Sequence, residues 1–330
     1  MILVIGGAGY IGSHMVRLLR ESGEPHVVLD NLERGHRAAV QGSRLIVGDL
    51  RNRSQLDDVF RSLSKIDVVM HFAAYTYVGE SVQDPLAYWH NNTSAVINLL
   101  LSMKEHGVRQ FVFSSTCATF GEPEYLPLDE RHPQRPISPY GQTKLAVERI
   151  LDDLSQSGEI RSVALRYFNA AGAHPSGEIG EDHRPEAHLI PNAIFAAMGT
   201  KPEGLTIFGD DYDTPDGTCL RDYIHVCDLA DAHLRAVKYL RDGGASTSFN
   251  LGNGNGYSIR EVIAAVEAIT QRPVPHQLGP RRPGDPARLI GSSEKALREL
   301  GWQPEFPSLR TIIDHAWRWH SMHPNGYGNG

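Results

Sequence analysis

"ILVIGGAGYIGSH", residues 2–14, runs from a short apolar stretch into four glycines and on into a helical pattern. Gly6, Gly7, Gly9 and Gly12 satisfy both G-x-x-G-x-x-G and G-x-G-x-x-G. Such glycines permit a tight turn and a close approach of backbone. A pyrophosphate can then rest on the N-terminus of the following helix, where unpaired N–H groups and the helix dipole favour an anion. Glycine turns are common, so the motif counts through its surroundings. Asp30 closes the next apolar run, 18 residues after Gly12, where an acid accepts hydrogen bonds from the adenosine ribose hydroxyls and repels a 2′-phosphate. NAD rather than NADP is the predicted cofactor. Asp49 ends the third run and would sit beside the adenine. Asp30 also reads as a turn residue in "DNLERG", and Asp49 as a helix cap.

Outward from this motif one alternation repeats: "ILVI" (2–5), "HVVLD" (26–30), "RLIVGD" (44–49), "DVVMHFAA" (67–74), "QFVFSS" (110–115) and "RSVALRYF" (161–168). Each run is continuous rather than alternating, as in strands buried on both faces, while 11–22, 54–63, 86–106 and 141–156 carry helical periodicity. The fold predicted is α/β, a Rossmann-type doubly wound parallel sheet. After about residue 170, Pro- and Gly-rich loops separate shorter helices. Residues 1–170 are therefore expected to form the NAD-binding domain and 171–330 a smaller substrate lobe, with a frayed tail "HPNGYGNG".

Totals narrow the function. At 330 residues, 41% hydrophobic and 22% charged, the chain can bury a sizeable core. A formal charge of −7 gives no general basic surface for nucleic acid. The apolar N-terminus lacks a basic region and a cleavage site and is broken by glycine, so it reads as a strand, not an export signal or membrane span. Cys117, Cys219 and Cys227 are odd in number and without CxxC spacing, which suggests a reducing cytoplasm and no zinc site. Among the 16 histidines, His14, His71, His225 and His233 lack spacing that joins them with acids, and no metal is expected.

"SPYGQTK" (138–144) places Tyr140 and Lys144 one helical turn apart on one face. Taken alone, the pair reads as two solvated side chains. With "GGAGYIGSH", "HFAA", "VGES", "NNT", "FSSTCATFG", "RYFNAAGAHPSGEIGED", "RDYIHVCDLADAH" and "RRPGDPARL", the chain resembles the extended short-chain dehydrogenases/reductases. More narrowly, and nearly end to end, it resembles the UDP-glucose (UDP-galactose) 4-epimerases.

That resemblance implies interconversion of UDP-galactose and UDP-glucose through a 4-keto sugar, in which Tyr140 takes the proton of the 4-hydroxyl. Lys144 lowers the tyrosine pKa together with the oxidised nicotinamide and holds the nicotinamide ribose, and Thr116 hydrogen-bonds the same hydroxyl. It also assigns cofactor contacts to Gly6, Gly9, Tyr10, Ile11 and Gly12 in the glycine loop and to Asp30, Asn31, Asp49 and Leu50 around the adenosine. Phe72, Ala73, Ala74, Asn91, Ser114 and Tyr167, with Tyr140 and Lys144, would complete the cofactor site. For the UDP-hexose it assigns Asn169 near the phosphates, His188, Leu189 and Phe208 around the uracil or ribose, and Arg221 and Arg282 on the diphosphate. Tyr223 would lie against the nucleotide and Asp285 accept from a ribose hydroxyl. Leu289 stands at a position whose bulk gates N-acetylated sugars, so UDP-GlcNAc and UDP-GalNAc are further expected substrates.

Two helices around 86–106 and 141–156 would form a homodimer seam, with Val96, Leu99, Leu100 and Met103 serving it or facing the sheet. A 4,6-dehydratase needs Asp-Glu after the threonine, whereas Cys117 and Ala118 follow Thr116. A pentose-nucleotide 4-epimerase or a non-catalytic NAD sensor are the other readings.

Overall fold

The computed structural model describes residues 1–63, 65–282 and 285–328. Six strands come from the six apolar runs: β1 (Ile2–Ile5), β2 (His26–Asp30), β3 (Leu45–Val47), β4 (Val68–His71), β5 (Gln110–Thr116) and β6 (Arg161–Tyr167). Four more follow, β7 (Asn169–Ala171), β8 (Leu205–Phe208), β9 (Leu220–Arg221) and β10 (Tyr223–His225), and then β11 (Thr247–Leu251), β12 (Tyr257–Ser258), β13 (His276–Gly279) and β14 (Arg288–Leu289). The large sheet is parallel throughout, in the order β11-β6-β5-β4-β1-β2-β3. Its reversal beside β1 opens a crevice at the strands' carboxyl ends, where such sheets bind ligands.

Helices cover both faces, which explains why the strands carry consecutive rather than alternating apolar residues. In chain order they are α1 (Tyr10–Glu21), α2 (Arg53–Ser62), α3 (Val78–Gln83), α4 (Pro85–Trp89), α5 (Ala95–Glu105), α6 (Pro139–Gln156), α7 (Leu189–Met198), α8 (Val226–Arg241), α9 (Ile259–Thr270), α10 (Glu294–Leu300) and α11 (Leu309–Met322). Ile2 and Val4 pack with Met15 of α1 and Leu229 of α8. Leu3 and Ile5, one step along the pleat, pack with Leu56 of α2 and Leu99 of α5.

Two expectations need correction and a third gains detail. The chain crosses back over residue 170: α8 lies in the core of the large sheet, and β11 pairs with β6, Phe249 opposite Leu165. The expected helix 86–106 is present as one continuous helical stretch, α4 running into α5 through a π-helical turn at His90–Ser94. Asn92 in that turn accepts from Tyr75 N at 2.8 Å and donates to Tyr75 O at 2.9 Å, tying the loop after β4 to it. The tail is packed rather than frayed through Gly328, because Tyr327 rests 4.7 Å from Trp319 and stacks on His36 at 4.9 Å. Its last two residues lie outside the described residues, as do residues 283 and 284 of "RRPGDPARL".

Val96, Leu99, Leu100 and Met103 face the sheet and are buried, whereas Ile97 and Leu101 are the exposed apolar residues of α5. Beyond β7 a second core joins α7, α9 and α11. Beside it stand the pairs β8–β13 and the short sheet β12-β9-β14. No helix among the described residues is long and apolar enough to cross a membrane.

Candidate active site

A cavity of about 1050 Å³ runs from the glycine loop, past the ends of β4, β5 and β6, to the loops of the second lobe. At its first end Gly6 has a positive φ of +72°, and a Cβ there would meet Ala73 N at 2.4 Å. On Gly12 a Cβ would meet Gly6 O at 2.2 Å, so only glycine lets α1 begin this close to the turn. Gly9 differs: its nearest obstacle is Gly6 O at 3.5 Å, and the residue lines the cavity at the N-terminus of α1, where no side chain caps the helix. The missing Cβ leaves a cradle for an anionic group held by backbone N–H groups, and this fits a dinucleotide.

Asp30 accepts from Ala8 N at 2.9 Å and Leu32 N at 2.8 Å, so the carboxylate that faces the cavity also fastens the glycine loop. Burial raises its pKa against the lowering by these two bonds. Asp49 is held by Arg51, which pulls its carboxyl down to about 2, and receives Asn31 Nδ2 at 3.1 Å. The hydroxyl of Tyr10 donates to Gly172 O at 2.7 Å and ties α1 to the segment entering the second lobe.

In mid-cavity stand Thr116, Tyr140 and Lys144. Ser138 caps α6 by accepting from Gly141 N at 3.2 Å, with Pro139 at the first position. A Cβ on Gly141 would meet Ala118 O at 2.5 Å, so glycine brings the start of α6 onto the segment after Thr116. Lys144 Nζ donates to Ser114 O at 2.8 Å, and burial lowers its pKa to about 7 against the opposing pull of Glu148. Burial raises Tyr140 well above the usual tyrosine range, Tyr167 adds to this, and a hydrogen bond from Thr116 offsets part of it. This is the direction set by the protein alone, whereas the expected lowering includes the charge of the oxidised nicotinamide. Desolvation outweighs what the protein's own charges contribute, and Lys144 points to a carbonyl. Burial likewise pushes the neighbouring Cys117 thiol up to about 12, which leaves it protonated.

At the far end Asp285 lies between two guanidiniums, 3.5 Å from Arg221 Nη2 and 2.9 Å from Arg282 Nε. Arg221 also donates to Pro286 O at 2.8 Å, and its neighbour Asp222 turns away to accept from Asn253 N, Gly254 N and Gly291 N. Leu289, Asn169 and His188 share this wall.

Of the residues expected in the cofactor site, all but Ser114 line the cavity; Ser114 is buried behind it, hydrogen-bonded to His233 at 2.8 Å. Of the expected substrate residues, Leu189, Phe208 and Tyr223 stay off the wall. Phe208 lies under the Arg282 guanidinium at 4.7 Å, and Tyr223 is buried in β10.

Sequence reasoning named His188 but missed the cluster it belongs to: Glu181, His183 and His188 on the same wall with Glu186 beside them, their ligand-type atoms within 4.8 Å of one another. Burial alone would push these carboxylates up and these imidazoles down. Mutual attraction overrides it, so both glutamates stand below and both histidines above their usual ranges. The signal available was the spacing of acids and histidines in "EDHRPEAH", which a search centred on isolated histidines passes over.

Comparison with known proteins agrees with this geometry. The model of the NAD dependent epimerase/dehydratase family matches residues 2–252. A curated UDP-glucose 4-epimerase of Halalkalibacterium halodurans is 53% identical over 326 residues, 99% of this chain and 97% of that protein. The crystal structure of UDP-glucose 4-epimerase from Brucella ovis in complex with NAD superposes with a TM-score of 0.92 at 46% identity, over 95% of this chain and 96% of that one. The Bifidobacterium longum UDP-glucose 4-epimerase, in complex with NAD+ and UDP, gives a TM-score of 0.94 at 38% identity, over 99% of each chain. The chain belongs to the NAD dependent epimerase/dehydratase family.

Proposed function

We propose that the chain is an NAD-dependent UDP-glucose 4-epimerase, interconverting UDP-galactose and UDP-glucose through a 4-keto sugar. The observation that carries this reading is the placement of Thr116, Tyr140 and Lys144 midway along one cavity, between a dinucleotide cradle and a pair of arginines. Bound NAD supplies the acceptor for the C4 hydride and returns it, so there is no net redox change. Gly9 and the start of α1 hold the pyrophosphate, Asp30 the adenosine ribose, and Asn31, Asp49 and Leu50 flank the adenine. Tyr140 accepts the proton of the sugar 4-hydroxyl and gives it back, with Thr116 orienting that hydroxyl. With oxidised nicotinamide bound, its positive charge and that of Lys144 would together stabilise the phenolate. Arg221 and Arg282 grip the diphosphate in the forked manner of guanidinium, and Asp285 takes a ribose hydroxyl. Anchoring the nucleotide while leaving the hexose loosely held lets either face of the keto sugar meet the same cofactor.

In this reading the NAD-binding lobe is residues 1–170 together with the returning α8 and β11, and the remainder is the UDP-sugar lobe. Leu289 leaves room for a 2-acetamido group. Three free thiols suit a reducing cytoplasm. A homodimer would form through α5 and α6, with Ile97 and Leu101 in the seam.

The test incubates purified protein with UDP-galactose and, separately, UDP-GlcNAc, and follows C4 inversion by NMR. Inversion of UDP-galactose that falls about 100-fold or more in Tyr140→Phe supports the proposal. No inversion by folded protein with NAD bound would overturn it. Failure with UDP-GlcNAc alone would overturn only the open pocket at Leu289.

A further inference from the structure

The four side chains of the Glu181–His188 cluster belong to one segment, folded back on itself ahead of α7. Glu181 Oε1 lies 3.1 Å from His183 Nδ1 and 2.7 Å from His188 Nδ1. Glu186 reaches the same two nitrogens: Oε2 is 3.6 Å from His183 Nδ1, and Oε1 is 2.9 Å from His188 Nδ1. A tetrahedral ion with bonds of about 2.0–2.2 Å to nitrogen and oxygen sets its ligand atoms about 3.3–3.6 Å apart. One separation has that length and the other three are shorter, so the four groups already converge on one point and would spread by small side-chain rotations to admit one ion.

Oε1 of Glu186 is taken by Ala187 N and His188 N, each at 2.8 Å. Its Oε2 is buried without a hydrogen-bond partner among the described residues, on a side chain only 6% exposed. An orphaned carboxylate oxygen facing an imidazole nitrogen is a costly arrangement that a cation relieves. The segment itself is fastened from outside. Trp319 Nε1 donates to Glu181 O at 2.9 Å, Tyr77 Oη to Pro185 O at 2.8 Å, and Asn192 Nδ2 to Glu186 O at 3.2 Å. His188, 41% exposed on the cavity wall, marks the entry path.

We propose that Glu181, His183, Glu186 and His188 form a site for one divalent ion of the zinc class, which pins the 181–188 segment against the cavity. Two imidazoles and two carboxylates are a donor set that suits Zn²⁺ or Co²⁺ in four-coordinate geometry and disfavours calcium and magnesium. This site is separate from the proton-transfer residues, and the inference does not depend on the proposed reaction.

The test uses the full chain, stripped with a chelator and titrated with Zn²⁺ alone by calorimetry, and with Co²⁺ alone by visible absorption. Expected are one Zn²⁺ per chain, a higher Tm when loaded, and the intense ligand-field band of four-coordinate Co²⁺. Glu186→Gln and His183→Gln should each weaken Zn²⁺ binding at least about tenfold, with circular dichroism confirming the fold. If one variant does not fold, the other and the Co²⁺ spectrum decide. Absence of saturable binding, a weak six-coordinate Co²⁺ spectrum, or undiminished affinity in the folded variants would overturn the site.

Discussion

Asp30 and Asp222 hold the two ends of the cavity by the same device and at very different range. Each is a buried carboxylate whose pKa burial raises, and each accepts backbone N–H groups. Asp30 ties down Ala8 and Leu32, within a single β-α-β unit. Asp222 gathers Asn253 at 2.9 Å, Gly254 at 3.1 Å and Gly291 at 3.2 Å, from loops far along the chain. The cofactor end is thus built of local backbone, closed to any Cβ at Gly6 and Gly12. The substrate end is built of long side chains on distant loops. A site that keeps one ligand still while another turns benefits from this division.

The largest effect should come from filling the rigid end. Gly12→Ala drives a Cβ into Gly6 O and should destabilise the fold by about 3 kcal/mol in urea denaturation. Gly9→Ala meets no such wall, so it should lower NAD affinity with little change in stability. If the two variants behaved alike, the contrast between packing and cradle would collapse.

At the other end, burial holds the Asp222 carboxyl at about 7 against an ordinary 3.8. Because this acid is raised, the folded chain keeps a proton between those values that the unfolded chain has released. Its contribution to stability is therefore present at low pH and lost as pH rises through 7. Between pH 5 and 8 the wild type should lose on the order of 2 kcal/mol more than Asp222→Asn. Parallel pH curves would show that the carboxylate is ionised throughout.

A smaller effect is expected at the arginines. Arg221→Lys should raise KM for UDP-galactose about tenfold with little change in kcat. Arg282→Lys should do less, since its side chain is 60% exposed against 15% for Arg221. Smallest is Leu289→Tyr, which should slow UDP-GlcNAc turnover severalfold and spare UDP-galactose. Equal loss for both sugars would mean that residue 289 shapes the site generally and does not gate it.

What could be read beforehand follows the same contrast. The glycine loop, Asp30, and the Tyr140–Lys144 turn are local patterns, and local spacing dictates their geometry whatever surrounds them. Arg221 meets the local pair Arg282 and Asp285 only through tertiary structure, and resemblance to a known family was the route to all three. The return of α8 and β11 to the first lobe was hidden because an amphipathic helix and a short apolar strand do not declare their sheet. The π-helical turn between α4 and α5 holds Asn92, which reaches across to Tyr75, a local widening that periodicity cannot register. Val96 and Leu99 were ambiguous because two apolar faces, one toward the sheet and one toward solvent, share α5. The burial that raises Tyr140 in the chain alone was not legible either, because it is set by residues packed from several elements.

The strand that completes the large sheet has a consequence for synthesis. β6 acquires its outer neighbour only when Thr247–Leu251 leaves the ribosome, and the apolar face beside it also waits for α8 and for Trp302, buried in the same core. A nascent chain of 170 residues therefore carries an unpaired strand edge and an uncovered apolar surface, both invitations to aggregation. The first lobe therefore does not complete its sheet as an independent unit, and the far end of the cavity waits for Arg221, Asp285 and Leu289.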